Sequence, residues 1–302
     1  LIYGSLGTGT WLTQETKTRA SSSYMLNLTV LPNTDGVSRT AYIYFVKVTD
    51  MESIVVEMVT IIQRGEVASE STDYSSDKKV RVLQTAKLGK GLPIVLMGDG
   101  FIDTEINDGT YDAVMDKAFE NLFTEEPIKS LRDYFNVYAV TAVSKHNIFG
   151  TGYETALGCE LAGGNSTGIS GEDNAVQRYV QCVDNIDMSE TLAVVILNSP
   201  AYAGTTYFGY TNQTKVVEFA IAYCPVIYDL QSESFRQVLV HEAVGHGFAK
   251  LEDEYAYQEN GTISSKEIKN VQYLQTLGWA QNVDFTSDPS QVLWSAFLND
   301  NR

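Results

Sequence analysis

His241-Glu242-Ala243-Val244-Gly245-His246, followed by Glu252-Asp253-Glu254-Tyr255, sets two of the chain's three histidines beside a dense run of carboxylates. Neutral imidazole is a good ligand for zinc, and a catalytic zinc takes three protein ligands and keeps a fourth position for water. In that reading His241 and His246 hold the ion, and Glu242 is the base that removes a proton from the water. The spacing is unusual. In H-E-x-x-H the histidines stand four apart on one helix face, whereas here they stand five apart. Residues i and i+4 of an α-helix differ by about 40° and residues i and i+5 by about 140°, too wide for one ion to reach both. One residue must be absorbed, so the sequence predicts a widened turn, a π-bulge, between Glu242 and His246. Gly245 and Gly247 flank His246 and are expected to tolerate the distorted backbone.

Working outward, Phe235, Val238, Leu239 and Val240 supply the apolar face of a buried helix leading into the motif, and Ser234 with Gln237 has the form of its capping box. Beyond the second histidine, Glu252, Asp253 and Glu254 are each placed to return a carboxylate to the ion.

The run H-E-A-V-G-H-G-F-A-K-L-E-D-E-Y, residues 241–255, resembles the metal motif of the IgA-peptidase family of zinc metallopeptidases, in the form with one extra residue carried by Bacteroides-type members. The likeness extends to Gly91–Phe101, to Phe123–Asn136 and to Ala220–Pro225, and covers most of residues 80–280. It implies a zincin-like catalytic domain that hydrolyses peptide bonds. It points to Asp253 and Glu254 as the source of the third ligand, without separating them. Glu267 is the competitor, since some zincins draw a glutamate from a second helix, and residues 264–273 read as helical. His146 is the outsider, after a strand and more often a loop residue. Tyr255 is a candidate donor to the developing oxyanion; packing beside the metal helix is its other reading. The family's catalytic domain usually runs further than this chain does.

The 302 residues are 44% hydrophobic, enough apolar surface for two cores. With 38 acidic against 21 basic residues the formal charge is −17. That argues against nucleic-acid binding and is read first as a means of solubility. No apolar run reaches the ~18 residues of a membrane span. Cys159, Cys182 and Cys224 are odd in number and lack C-x-x-C, so they are expected as buried or half-buried thiols. Asn27, Asn165, Asn212 and Asn260 open N-x-S/T patterns of the kind common by chance.

Residues 1 to about 65 read as β-strands, notably Tyr24–Leu31, Ala41–Val48 and Ile54–Ile62, and the ending Val59–Gly65 resembles the last strand of bacterial immunoglobulin-like modules. Residues 66–79 read as a linker. From Val80 strands and helices alternate: strands at Val80–Thr85, Ile94–Met97, Phe135–Val143 and Leu192–Leu197, and helices over Tyr111–Phe123 and Asp173–Val183. Gly98-Asp99-Gly100 reads as a turn, Asn147–Gly171 as a long connection that either borders the cleft or is simply a loop, and Val292–Leu298 as helical. There is no G-x-S-x-G signature.

The expected fold is therefore an all-β immunoglobulin-like sandwich with its linker over residues 1–78, then an α/β zincin-like metallopeptidase domain over residues 79–302. The expected protein is a monomeric, secreted or surface-attached zinc metallo-endopeptidase acting on proteins or glycoproteins. The alternatives are a non-catalytic binding or adhesion protein on the same scaffold, and a calcium-binding adhesive domain, which the missing D-x-[DN]-x-[DN]-G loop disfavours.

Overall fold

The computed structural model describes residues 2–5, 12–16, 26–30, 39–48, 53–63, 69–161, 168–212, 215–254 and 262–298. The chain divides into two compact units, the first mainly Leu1–Glu70 and the second Ser71–Ala162 with Thr167–Arg302.

The first unit is all β. Strand β1 (Ile2–Ser5) pairs antiparallel with β4 (Arg39–Val48), which pairs antiparallel with β5 (Ser53–Gln63). Strands β2 (Leu12–Thr16) and β3 (Leu26–Val30) form a separate antiparallel pair. Alternating β-branched and aromatic residues account for β4 and β5. These pairings establish a β module, but they do not establish the immunoglobulin-like topology expected from the sequence.

The second unit is built on a six-stranded sheet. Its strands are β6 (Val80–Gln84), β7 (Leu92–Asp99), β8 (Phe135–Val140), β11 (Leu192–Leu197), β12 (Thr205–Asn212) and β13 (Lys215–Pro225); a short hairpin of β9 (Glu160–Leu161) and β10 (Ile169–Ser170) lies outside it. In the order β12-β13-β11-β7-β8-β6 the four inner strands are parallel and the two edge strands antiparallel. Inner strands covered on both faces must be apolar on both, hence the unbroken run Leu192–Leu197. Successive residues of β7 divide between the two cores. Ile94 and Leu96 face α2 (Thr110–Leu122) and α4 (Glu233–Val238), and Val95 and Met97 face α3 (Asp173–Val180). Helix α1 (Asp103–Asn107) follows β7 directly.

Four expectations change. Residues 71–77 are not a free linker: the Asp103 carboxylate accepts from the backbone N–H of Thr72 and Asp73, each at 2.8 Å, and Asp77 accepts from Tyr179 Oη at 2.8 Å. Gly98-Asp99-Gly100 is more than a turn. The Asp99 carboxylate is fully buried and accepts from the hydroxyls of Ser144 and Thr155 and the backbone N–H of Leu157 and Cys159. A buried carboxylate needs such donors, so the long connection is pulled across the end of β7. Helix α4 is capped by Ser232, whose Oγ accepts from Phe235 N at 3.1 Å, and Ser234 lies inside its first turn. Residues 292–298 form turns and one 3-10 turn, Ser295–Phe297, in place of a helix. The three cysteines carry free thiols, two buried and one half-buried, as expected.

Helix α4 runs directly into a π-helix over Leu239–Phe248, after which Lys250, in the left-handed conformation at φ 55°, reverses the chain. Lys250 is buried. Its Nζ donates to the carbonyl oxygens of Glu218 and Gly247 and lies 5.9 Å from the centre of the Phe208 ring and 6.0 Å from that of Trp279. Burial lowers this lysine from its ordinary value of 10.5 to about 8, against the upward pull of the Glu218 carboxylate. Between those two values the unfolded chain holds more protons than the folded one, so this group adds stability as pH rises through that window. In urea unfolding, the stability of wild type relative to Lys250→Met should climb from about pH 8 to pH 10.5. A difference that stays flat across that range would mean that the ammonium group is not desolvated.

Candidate metal centre

The π-helix resolves the spacing problem posed by the sequence. With i→i+5 bonding, as in Ala249 N donating to Val244 O at 2.9 Å, residues five apart come to lie nearly above one another. The expected single widened turn is in fact ten residues long. Such segments are rare and need support from packing. Here Leu239, Ala243, Val244 and Gly247 are buried against the sheet, and full burial of a leucine such as Leu239 contributes roughly 1.5–3 kcal/mol. Gly247 serves contact rather than backbone freedom: a Cβ there would stand 2.6 Å from Leu192 Cδ1. The nearest atom to a Cβ at Gly245 would be 3.7 Å away, ordinary contact distance.

His241 Nε2 and His246 Nε2 lie 3.2 Å apart, and each is 3.2 Å from Asp253 Oδ1. Among the described residues this is the group of His, Cys, Asp and Glu side chains able to hold a metal ion. The donors fit one. His246 Nδ1 donates to the Leu251 carbonyl at 2.6 Å, so its Nε2 presents a lone pair. Lone pairs and a carboxylate oxygen converging so closely repel one another unless a cation or protons lie among them. A tetrahedral ion with bonds of about 2.0–2.1 Å sets its ligand atoms about 3.3 Å apart, close to the 3.2 Å observed. The His246 ring lies parallel to Phe208, 1° between planes. His246 is mostly covered, while His241 is 47% exposed, so the group opens to solvent on the His241 side.

Glu242 lies behind the histidines and is only 7% exposed. Its Oε2 accepts from Thr206 Oγ1 at 2.8 Å, and a Cβ at Gly204 would stand 2.5 Å from its Oε1. Burial pushes this carboxyl above the usual carboxylate value, while the Thr206 bond and the two imidazoles pull it back. Thr206 sits on β12, in register with Ala222 of β13. The long connection does reach this region: Ile169 N donates to Thr205 Oγ1 and Tyr207 Oη to Ile169 O, which places β10 alongside β12.

The other candidates go elsewhere. Glu254 Oε1 accepts from Asn282 Nδ2 at 3.0 Å and is not in the group. Glu267 closes the capping box of α5 (Ser265–Thr276) with Ser264. His146 Nδ1 accepts from Glu154 N at 2.9 Å in its own loop. Tyr255 lies outside the described residues.

Three residues near the centre escaped the sequence reading: Thr206, Gly204 and Asn282. The run Thr205-Thr206-Tyr207-Phe208 does carry a strand signal. Nothing in the sequence singles out Asn282, whose amide accepts from Glu252 N at 3.0 Å and donates to Glu252 O at 2.8 Å and to Glu254 Oε1. This clamp holds the residues on both sides of Asp253. In Asn282→Ala the affinity for zinc, measured by competition with a chromophoric chelator, should fall about 10–100-fold, the range for loss of an outer support of a ligand. An unchanged affinity would show that Asp253 is held by other means.

Among the described residues no helix is long and apolar enough to cross a membrane. A search of curated proteins returned no match. The BACON family model, that of an N-terminal module, matches residues 5–64. The model described as IgA Peptidase M64 matches residues 80–302, which takes in the whole sheet, the π-helix and the cluster of His241, His246 and Asp253. This chain therefore belongs to the IgA peptidase M64 family of metallopeptidases.

Proposed function

We propose that the chain is a secreted zinc-dependent endopeptidase in which His241, His246 and Asp253 hold the ion and Glu242 is the general base. The observation that carries this reading is the convergence of three donor atoms at 3.2 Å beside a buried carboxylate. Zinc has N/O ligands of this kind, and a group of three protein ligands leaves the fourth position that a catalytic ion requires. When bound, zinc polarises a substrate carbonyl and lowers the pKa of a coordinated water. The protein side chains supply the rest. Glu242, its carboxylate oriented by Thr206, takes a proton from the attacking water and delivers it to the departing amine nitrogen. Gly204 leaves room for that carboxylate. Tyr255, two residues beyond Asp253 in the sequence, is the candidate donor to the developing oxyanion, a stabilisation that the reaction needs.

The family implies protein substrates, and the BACON module with the family supports secretion and extracellular proteins or glycoproteins as targets. A non-catalytic adhesion role finds less support, because a purely structural zinc site carries four protein ligands and the cluster among the described residues has three.

Glu242→Gln keeps the shape and the Thr206 contact but cannot accept the proton. Its kcat on a cleaved peptide should fall by about 10²–10⁴-fold or more, with one zinc still bound per chain by elemental analysis. Cleavage at the parent rate would remove Glu242 from the reaction.

A further inference from the structure

A cleft of about 400 Å³ opens beside His241, lined by Glu125, Arg236, Gln237, Val240 and His241 itself. It shares a wall with the metal group on the group's solvent-open side. An extended peptide advances about 3.2–3.4 Å per residue with alternate side chains on opposite faces. A scissile carbonyl at the triad therefore brings a neighbouring side chain within reach of this cleft.

The cleft's charge is set by an unequal ion-pair network. Arg236 Nε lies 3.0 Å from both carboxylate oxygens of Glu233 and Nη2 lies 2.5 Å from Glu233 Oε1; Nη1 lies 2.5 Å from Glu125 Oε1 and donates to Thr124 Oγ1 at 3.1 Å. Two carboxylates face one guanidinium, so the network keeps one net negative charge. Arg236 is largely covered, with its side chain 25% exposed, whereas that of Glu125 is 53% exposed. An incoming group thus meets the Glu125 carboxylate and the Gln237 amide oxygen, with the guanidinium and the Gln237 amide nitrogen, which donates to Glu233 Oε1 at 3.3 Å, already engaged. Val240 offers an apolar wall for an aliphatic stem, the arrangement in which lysine and arginine settle with their charged ends in polar surroundings. An acidic side chain would meet Glu125 at close range with no cation released to pair with it.

We propose that this cleft is the subsite for a substrate side chain next to the scissile bond and that it selects lysine or arginine there; this rests on the peptidase reading above.

The test uses quenched fluorescent peptides, identical except for Lys, Leu or Glu at each position flanking the cleaved bond, with the zinc-loaded full chain as wild type, E125Q and E125K. At one flanking position wild type should favour Lys over Glu in kcat/KM by about tenfold or more, E125Q should reduce that ratio toward unity, and E125K should invert it. Binding of the same peptides to E242Q, read by fluorescence anisotropy, should give the same ranking without turnover. E125Q preserves shape and keeps the question open to test should E125K fold poorly. A Lys:Glu ratio unchanged in E125Q, or a wild-type preference for acidic residues through Arg236, overturns the subsite while the peptidase reading stands. Absence of cleavage of any peptide by the zinc-loaded wild type, with no E242Q binding, overturns both.

Discussion

The five-residue spacing of two imidazoles is the constraint from which the rest of this structure follows. An α-helix would set the two rings about 140° apart, whereas the backbone winds with i→i+5 bonds over Leu239–Phe248 and brings their Nε2 atoms within 3.2 Å. That winding is seldom stable by itself. It persists here because one face is pressed onto the sheet, with Gly247 admitting Leu192 and Phe248 packing edge-on to Phe135, their centres 5.1 Å apart. The same close approach brings Glu242 against β12, where Thr206 and Gly204 receive its carboxylate. Helix geometry, sheet packing and the candidate base form one continuous chain of contacts.

The approach of Asp253 to the two histidines depends on how the π-helix ends. Lys250 takes the left-handed turn, the Leu251 carbonyl returns to His246 Nδ1, and Asn282 pins Glu252 and Glu254 on either side of Asp253. Each bond involves a backbone atom or a neighbour of Asp253, so the position of its carboxylate is set by the path of the chain. The buried Lys250 ammonium joins the π-helix end to the carbonyl of Glu218 on β13 and lies about equally far from the Phe208 and Trp279 rings. Phe208 also lies parallel to the His246 ring. Through these contacts the strands, the helix end and the loop after α5 meet at one place.

Much of the fold was legible in the sequence because burial on both faces of a parallel sheet leaves a plain signal. Leu192–Leu197 is a strand to the residue, and the stripe Tyr111, Val114, Met115, Ala118, Phe119 and Leu122 is the buried face of α2. The errors have local causes. Ser232 outcompeted Ser234 as the cap because it lies outside the first helical turn, where its hydroxyl can reach Phe235 N. Residues 71–77 read as a linker because their polarity is evident, whereas the partners that bind them, Asp103 and Tyr179, lie about 30 and 100 positions away. The edge strand β12 pairs only with β13, and its β propensity alone does not mark its place in the sheet.

The sequence by itself determined the donor types, the need for a widened helix between His241 and His246, and the resemblance that proved to be family membership. Those properties are local, being matters of residue identity and of angular spacing along one helix. Only the tertiary structure decided that Asp253 joins the histidines while Glu254 turns to Asn282, and that Glu242 is held by Thr206. The reason is physical. These choices depend on the register of β12 against β13 and on where the returning segment meets a distant amide, and both are set by packing between residues far apart in the chain.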